Sequence, residues 1–138
     1  MPQTLQPAAL LAGRILLSII FVLSGFTKIT GYAGTQQYME MFGVPGALLP
    51  LVIATEFGLG LALVVGFKTR LAAIGLAGFT IIAGFIFHSN FADQMQMIMF
   101  LKNLAITGGL LALATSGAGA WSLDGRLGTA PARVPEPA

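Results

Sequence analysis

Four apolar runs divide the chain, at about residues 8–30, 47–66, 71–88 and 95–115, and each is near the ~20 residues that a helix needs to cross the hydrocarbon of a bilayer. No length is left for a fifth. With 56% hydrophobic and 9% charged residues among 138, there are too few polar groups to cover a soluble globule. The expected fold class is therefore an all-α integral membrane protein, an antiparallel four-helix transmembrane bundle over residues 1–115. After Thr115 the chain turns Gly-, Ala- and Pro-rich, with Pro131, Pro135 and Pro137, so residues 116–138 are expected to form a mobile cytoplasmic tail. The first run exceeds a typical secretory h-region, has no basic residue before Arg14 and shows no clear small-x-small site. It is expected to stay in the protein rather than be cleaved.

Lys and Arg near the span ends set the expected orientation. Arg14, Lys68, Arg70, Arg126 and Arg133 fall on the side shared by both termini and the loop between the second and third spans, leaving Lys28 and Lys102 toward the other. Positively charged loops are retained inside, which puts both termini in the cytoplasm and makes Arg14, Lys68 and Arg70 cytoplasmic-side anchors. The seven basic residues are scattered and the net charge is only +2, so no footprint for nucleic acid is present. With no cysteine and one histidine, dithiol redox chemistry, Cys-ligated clusters and Cys-based zinc sites are excluded and no metal site is expected. Any electron carrier has to be a bound small molecule or a partner subunit.

The longest connection between spans, GYAGTQQYMEMFGVPG at residues 31–46, lies on the outer side. Tyr38, Met41 and Phe42 share a helical face there, which predicts a short interfacial helix bounded by Gly34 and Gly43, either a lid or a connector resting on the headgroups. In the second outer connection Asp93 precedes Gln96 in a capping-box arrangement that starts span four.

Glu56 is the only charge in residues 48–66, and a carboxyl at the middle of a membrane-spanning helix is costly unless paired or watered. Counted from the outer side, Glu56 and Lys102 lie well inside spans two and four, while Ser24, Lys28 and His88 lie close to the outer ends of spans one and three. All five fall in the outer half. Glu56 is expected to contact Lys102 or Lys28, with His88, Asn103 and Ser24 adding hydrogen bonds, because pairing relieves desolvation. Such a cluster is either a ligand site or a buried ion pair that fixes helix register. Along span one, Arg14, Leu17, Phe21, Ser24 and Lys28 line one face, and Arg14 and Lys28 are near enough to the ends to snorkel to an interface. Span two carries Ala54, Gly58, Ala62 and Gly66 on a face away from Glu56, a stripe that admits another helix closely.

The order FVLSGFTK (21–28), TEFGLG (55–60), GFKTR (66–70), His88, Lys102 and WSLD (121–124) resembles the DoxX family of small bacterial membrane proteins, over about residues 14–126. In that family the residues matching Arg14, Lys28, Glu56, Arg70, His88 and Lys102 are the characteristic polar positions. The chain departs from the pattern at Ala118 and Ala120, where the family often has Pro and a basic residue, and this weakens any role for the tail. The resemblance implies a bacterial inner-membrane protein. Members of the family are similar to the membrane subunit of an archaeal thiosulfate:quinone oxidoreductase, and others are linked to oxidative-stress complexes.

Three readings of function follow, and none assigns an enzymatic step. The first is a non-catalytic membrane subunit or scaffold of a redox-related complex, held to a protein partner or built as a homo-oligomer. The second is a quinone-binding membrane subunit, with His88, Lys102 or Lys28 as donors and Phe57, Phe85, Phe87 and Met99 walling the slot. The third is a small oligomeric ion- or solute-permeation protein using Glu56.

Overall fold

The structure, a computed structural model, describes residues 2–128. Four helices are long and apolar enough to cross a membrane: α1 (Gln6–Thr30), α3 (Gly46–Val65), α4 (Thr69–Phe87) and α5 (Gln94–Ser116). A short helix α2 (Tyr32–Met41) follows α1, and a single turn α6 (Leu123–Arg126) follows α5. No strand occurs among the described residues, and the bounds of the spans fall within about two residues of those expected.

Local chemistry explains the helix ends. Pro7 sits in the first turn of α1 and Pro50 near the start of α3, where a missing N–H is not felt. Helix α3 closes on Gly66 at φ 72°, with Gly66 N–H donating to Leu63 O and Phe67 N–H to Ala62 O, a Schellman stop that needs the left-handed conformation. Asp93 caps α5 by accepting from Met95 N–H at 2.9 Å. Only half of the expected capping box forms, because Gln96 turns to His88 instead.

The spans pack in sequence order, α1 on α3, α3 on α4 and α4 on α5, and α5 returns to α1 over a smaller contact. The apolar core of Phe21, Leu63, Leu76, Leu110 and Leu113 is completed by Ala72, Ala73 and Ala77, whose small side chains let α4 approach both neighbours. This core lies toward the end of the bundle that carries the termini, the inner end, and the opposite end is the outer one.

Helix α2 folds back over the outer end. It spans Tyr32–Met41 rather than starting at Gly34, and Gly43 at φ 78° reverses the chain after it. Tyr38, Phe42 and Phe87 form a compact aromatic group with centroids 5.0 to 5.6 Å apart, and Gln36 donates to Gly46 O at 3.1 Å. Met41, which shares a face with Tyr38 and Phe42, is exposed, and Met39 is buried.

Residues 117–128, within the segment read as a mobile tail, lie against the inner end of the bundle. The rest of that segment, residues 129–138 with Pro131, Arg133, Pro135 and Pro137, falls outside the described residues.

Candidate functional site

In α1 the buried face is Arg14, Ser18, Phe21 and Gly25, a three-four spacing that turns Lys28 toward α3 at the last turn of the helix. Lys28 Nζ lies 2.8 Å from Glu56 Oε1, with side chains 27% and 5% exposed respectively. Two features bring them together. Gly25 lets the helices approach, since a Cβ there would come 2.7 Å from Phe57 Cβ and 2.9 Å from Phe57 N. In addition, residues Ala54–Gly58 of α3 form a π-helical turn, a widened turn often found at functional positions. A carboxylate inside hydrocarbon is tolerated when an ammonium offsets its desolvation, and Lys28 supplies that charge.

The other residues expected around Glu56 are placed elsewhere. Asn103 Nδ2 donates to Thr80 O at 3.1 Å, pinning α5 to α4. Lys102 is the next residue on the helix, about 100° round, and is exposed on the outward face. It forms no ion pair among the described residues, so the alternative of Glu56 pairing with Lys102 is corrected in favour of Lys28. The reason is neighbour order: α3 lies against α1 and α4, whereas Lys102 is an exposed residue of α5. His88 Nδ1 lies 3.0 Å from Gln96 Oε1, tying the end of α4 to the start of α5. Ser24 is half-buried beside the pair, and its carbonyl accepts from Thr27 Oγ1. The aromatic walls do not converge either. Phe87 joins Tyr38 and Phe42, Phe85 stacks edge-on against Phe100, and of the expected donors only Lys28 adjoins Glu56. Phe57, by contrast, packs at Gly25 beside the pair.

A second polar cluster, which sequence reasoning missed, closes the inner end. Arg14 is 2% exposed and does not snorkel to the interface. Its guanidinium donates to Ala118 O at 2.8 Å and Trp121 O at 3.0 Å, with a longer contact to Val64 O at 3.4 Å, and it interacts electrostatically with Asp124. The Asp124 carboxylate accepts from Lys68 N–H at 2.7 Å and Thr69 N–H at 2.9 Å, satisfying two donors at the start of α4 that have no partner within the helix. Arg70 donates to Ala114 O and Thr115 O at 3.1 and 2.7 Å, which neutralises the carbonyl end of α5. Of the three expected anchors, only Lys68 has an exposed side chain, with its ammonium 5.7 Å from the Phe67 ring centroid. Ser122 accepts from Gly125 N–H at 3.0 Å and starts α6. The signal was the Ser-x-Asp of WSLD, a capping pair on the same side as Arg14.

Comparison with known proteins finds relatives of the sequence. A family model described as DoxX matches residues 9–89, which covers Arg14, Lys28, Glu56, Arg70 and His88. The chain is 57% identical over 122 residues to inner membrane protein YqjF of Escherichia coli K12, covering 88% of this chain and 94% of that protein. It is 38% identical to inner membrane protein YphA of the same organism, covering 88% and 91%. A third relative, 28% identical over 69% of this chain and 75% of its own length, carries the name "Putative oxidoreductase CatD" in Bacillus subtilis 168. No solved structure matches the chain.

Proposed function

The chain belongs to the DoxX family, and from that premise we propose that it is a non-catalytic inner-membrane subunit, a helical scaffold for a redox-related complex. The observation that carries this reading is how the polar groups are used. Glu56 is buried against Lys28 at 2.8 Å, while only 11 to 33% of each membrane-crossing window is buried inside the bundle. The interior holds helices in register, and the broad outer faces are free for lipid and protein partners. The inner-membrane setting draws on the names of the two Escherichia coli relatives, and the redox association on that of the Bacillus subtilis one. With Arg14, Lys68, Arg70 and Arg126 at one end and Lys28 and Lys102 toward the other, both termini are assigned to the cytoplasm.

The test is extraction of a tagged chain in mild detergent followed by native mass spectrometry. The scaffold reading expects the same partner protein to recur, and Glu56→Gln to lower the yield of folded protein without changing partner identity. A lone species from every extraction would overturn it.

A second reading, a quinone-binding subunit, has one observation in its favour: Lys28 is 27% exposed beside a π-helical turn, so its ammonium is within reach of an amphiphile arriving through the bilayer. In quinone-loaded nanodiscs this reading expects Lys28→Met to weaken quinone binding at least tenfold. Unchanged binding would remove it.

A further inference from the structure

We propose that the inner end of α3 carries a binding groove for an anionic phospholipid, with an acyl chain along the helix and the headgroup between Arg126 and Lys68. Two open hollows of about 570 and 500 Å³ adjoin there and share Val65 and Leu123. Along α3 the floor runs from Gly58 through Leu61 and Ala62 to Val65, a length of ~10 Å, or about a third of the ~30 Å hydrocarbon thickness. The floor is apolar, and Gly58 leaves it low, since a Cβ there would meet nothing within 4 Å. At the mouth the lining becomes amphipathic, with Trp121, Ser122 and Arg126.

Charge selects the occupant. Among the described residues the Arg126 guanidinium makes no hydrogen bond or ion pair, although α6 is otherwise tied down through Ser122 and Asp124. Lys68 flanks the other side, its ammonium over the ring of Phe67, which itself lines the groove. Lys68 is also the described non-glycine residue at positive φ, 46°. Glycine would suit that backbone better, but it would remove the cation. Two cations at the rim of an apolar trough, beside a tryptophan that is 54% exposed, match a phosphate-bearing headgroup above its own acyl chain. The mouth of the groove, at Val65, lies nine residues along α3 from Glu56, and its occupancy is independent of the scaffold reading.

Trp121 is the single tryptophan of the chain, so its emission reports on this groove alone. The full-length protein is placed in phosphatidylcholine vesicles with a small fixed fraction of acyl-brominated lipid, either phosphatidylglycerol or phosphatidylcholine. The brominated phosphatidylglycerol is expected to quench Trp121 as though enriched about fivefold, the scale of one interfacial arginine. Arg126→Gln and Lys68→Gly should each reduce that excess, the second without loss of thermal stability because it relieves the left-handed backbone. Gly58→Leu, which fills the trough, should also reduce it. Equal quenching by the two lipids in the unaltered protein would overturn the proposal, as would an excess that all three variants leave intact. Quenching that follows protein-to-lipid ratio rather than headgroup would assign the groove to a second copy and overturn it as well.

Discussion

Lys28 and Glu56 differ in where each can go if its partner is lost. Lys28 is near the outer end of α1 and 27% exposed, while Glu56 is 5% exposed at a turn packed against Gly25. Removing Lys28 therefore strands a buried carboxyl, at a cost of about 3–5 kcal/mol for a broken buried pair. Removing the charge of Glu56 leaves an ammonium able to reach the headgroups, at about 1 kcal/mol. In thermal unfolding in detergent, Lys28→Met is expected to be the more damaging substitution. Adding Glu56→Gln to it should restore part of the loss, a coupling that a double-mutant cycle reads directly. The carboxyl itself was plain in the sequence, because a lone charge in an apolar run needs a partner. Which lysine answers it was not, since Lys28 and Lys102 both lie in the same half of the bundle and only the order of helices around it separates them. The phase of one residue then decides the rest: Asn103 reaches Thr80 O, and Lys102 faces outward.

At the scale of a helix, the four spans were legible because length and hydropathy are summed over ~20 residues and survive any single exception. The π-helical turn at Ala54–Gly58 was not, because it is a choice of hydrogen-bond register made by packing rather than by composition. Glycines show the same divide. The stripe of Ala54, Gly58, Ala62 and Gly66 was read as a surface for close helix approach, yet Gly58 meets nothing within 4 Å, and the tight crossing of α1 and α3 is made by Gly25 and Gly60. Gly66 is needed for a different neighbour, since a Cβ there would collide with Ser122 Cβ and approach Arg14 Nη1 to 2.9 Å. Two helical glycines thus give opposite expectations. Gly25→Ala should cost about 1–3 kcal/mol by overpacking against Phe57, and Gly78→Ala, with open space around it, should be neutral or stabilising by up to ~1 kcal/mol. Chemical denaturation of the two variants side by side checks both signs.

Taken whole, the bundle is two helix pairs, α1 with α3 and α4 with α5, and the segment after α5 fastens them at one end. It offers carbonyls to Arg14 of α1 and a carboxylate to the first N–H groups of α4, while Arg70 of α4 holds the last carbonyls of α5. A composition rich in Gly and Ala suggested mobility there, because it says nothing about main-chain acceptors, and those are what Arg14 uses. Asp124→Asn retains one acceptor where two N–H groups converge, and should cost about 1–2 kcal/mol in thermal unfolding. Arg14→Lys, which replaces a planar fork by a point donor, should cost about 2–3 kcal/mol in the same assay. This fastening also has a schedule. Arg14 lies in the first helix to be made, and its acceptor Ala118 follows 104 residues later, about 5–20 s at the usual pace of synthesis. For that interval a nascent chain already threaded into the bilayer holds an arginine whose two shortest hydrogen bonds have no acceptor yet, so the insertion machinery or the lipid headgroups must shelter it until Ala118 and Trp121 leave the ribosome.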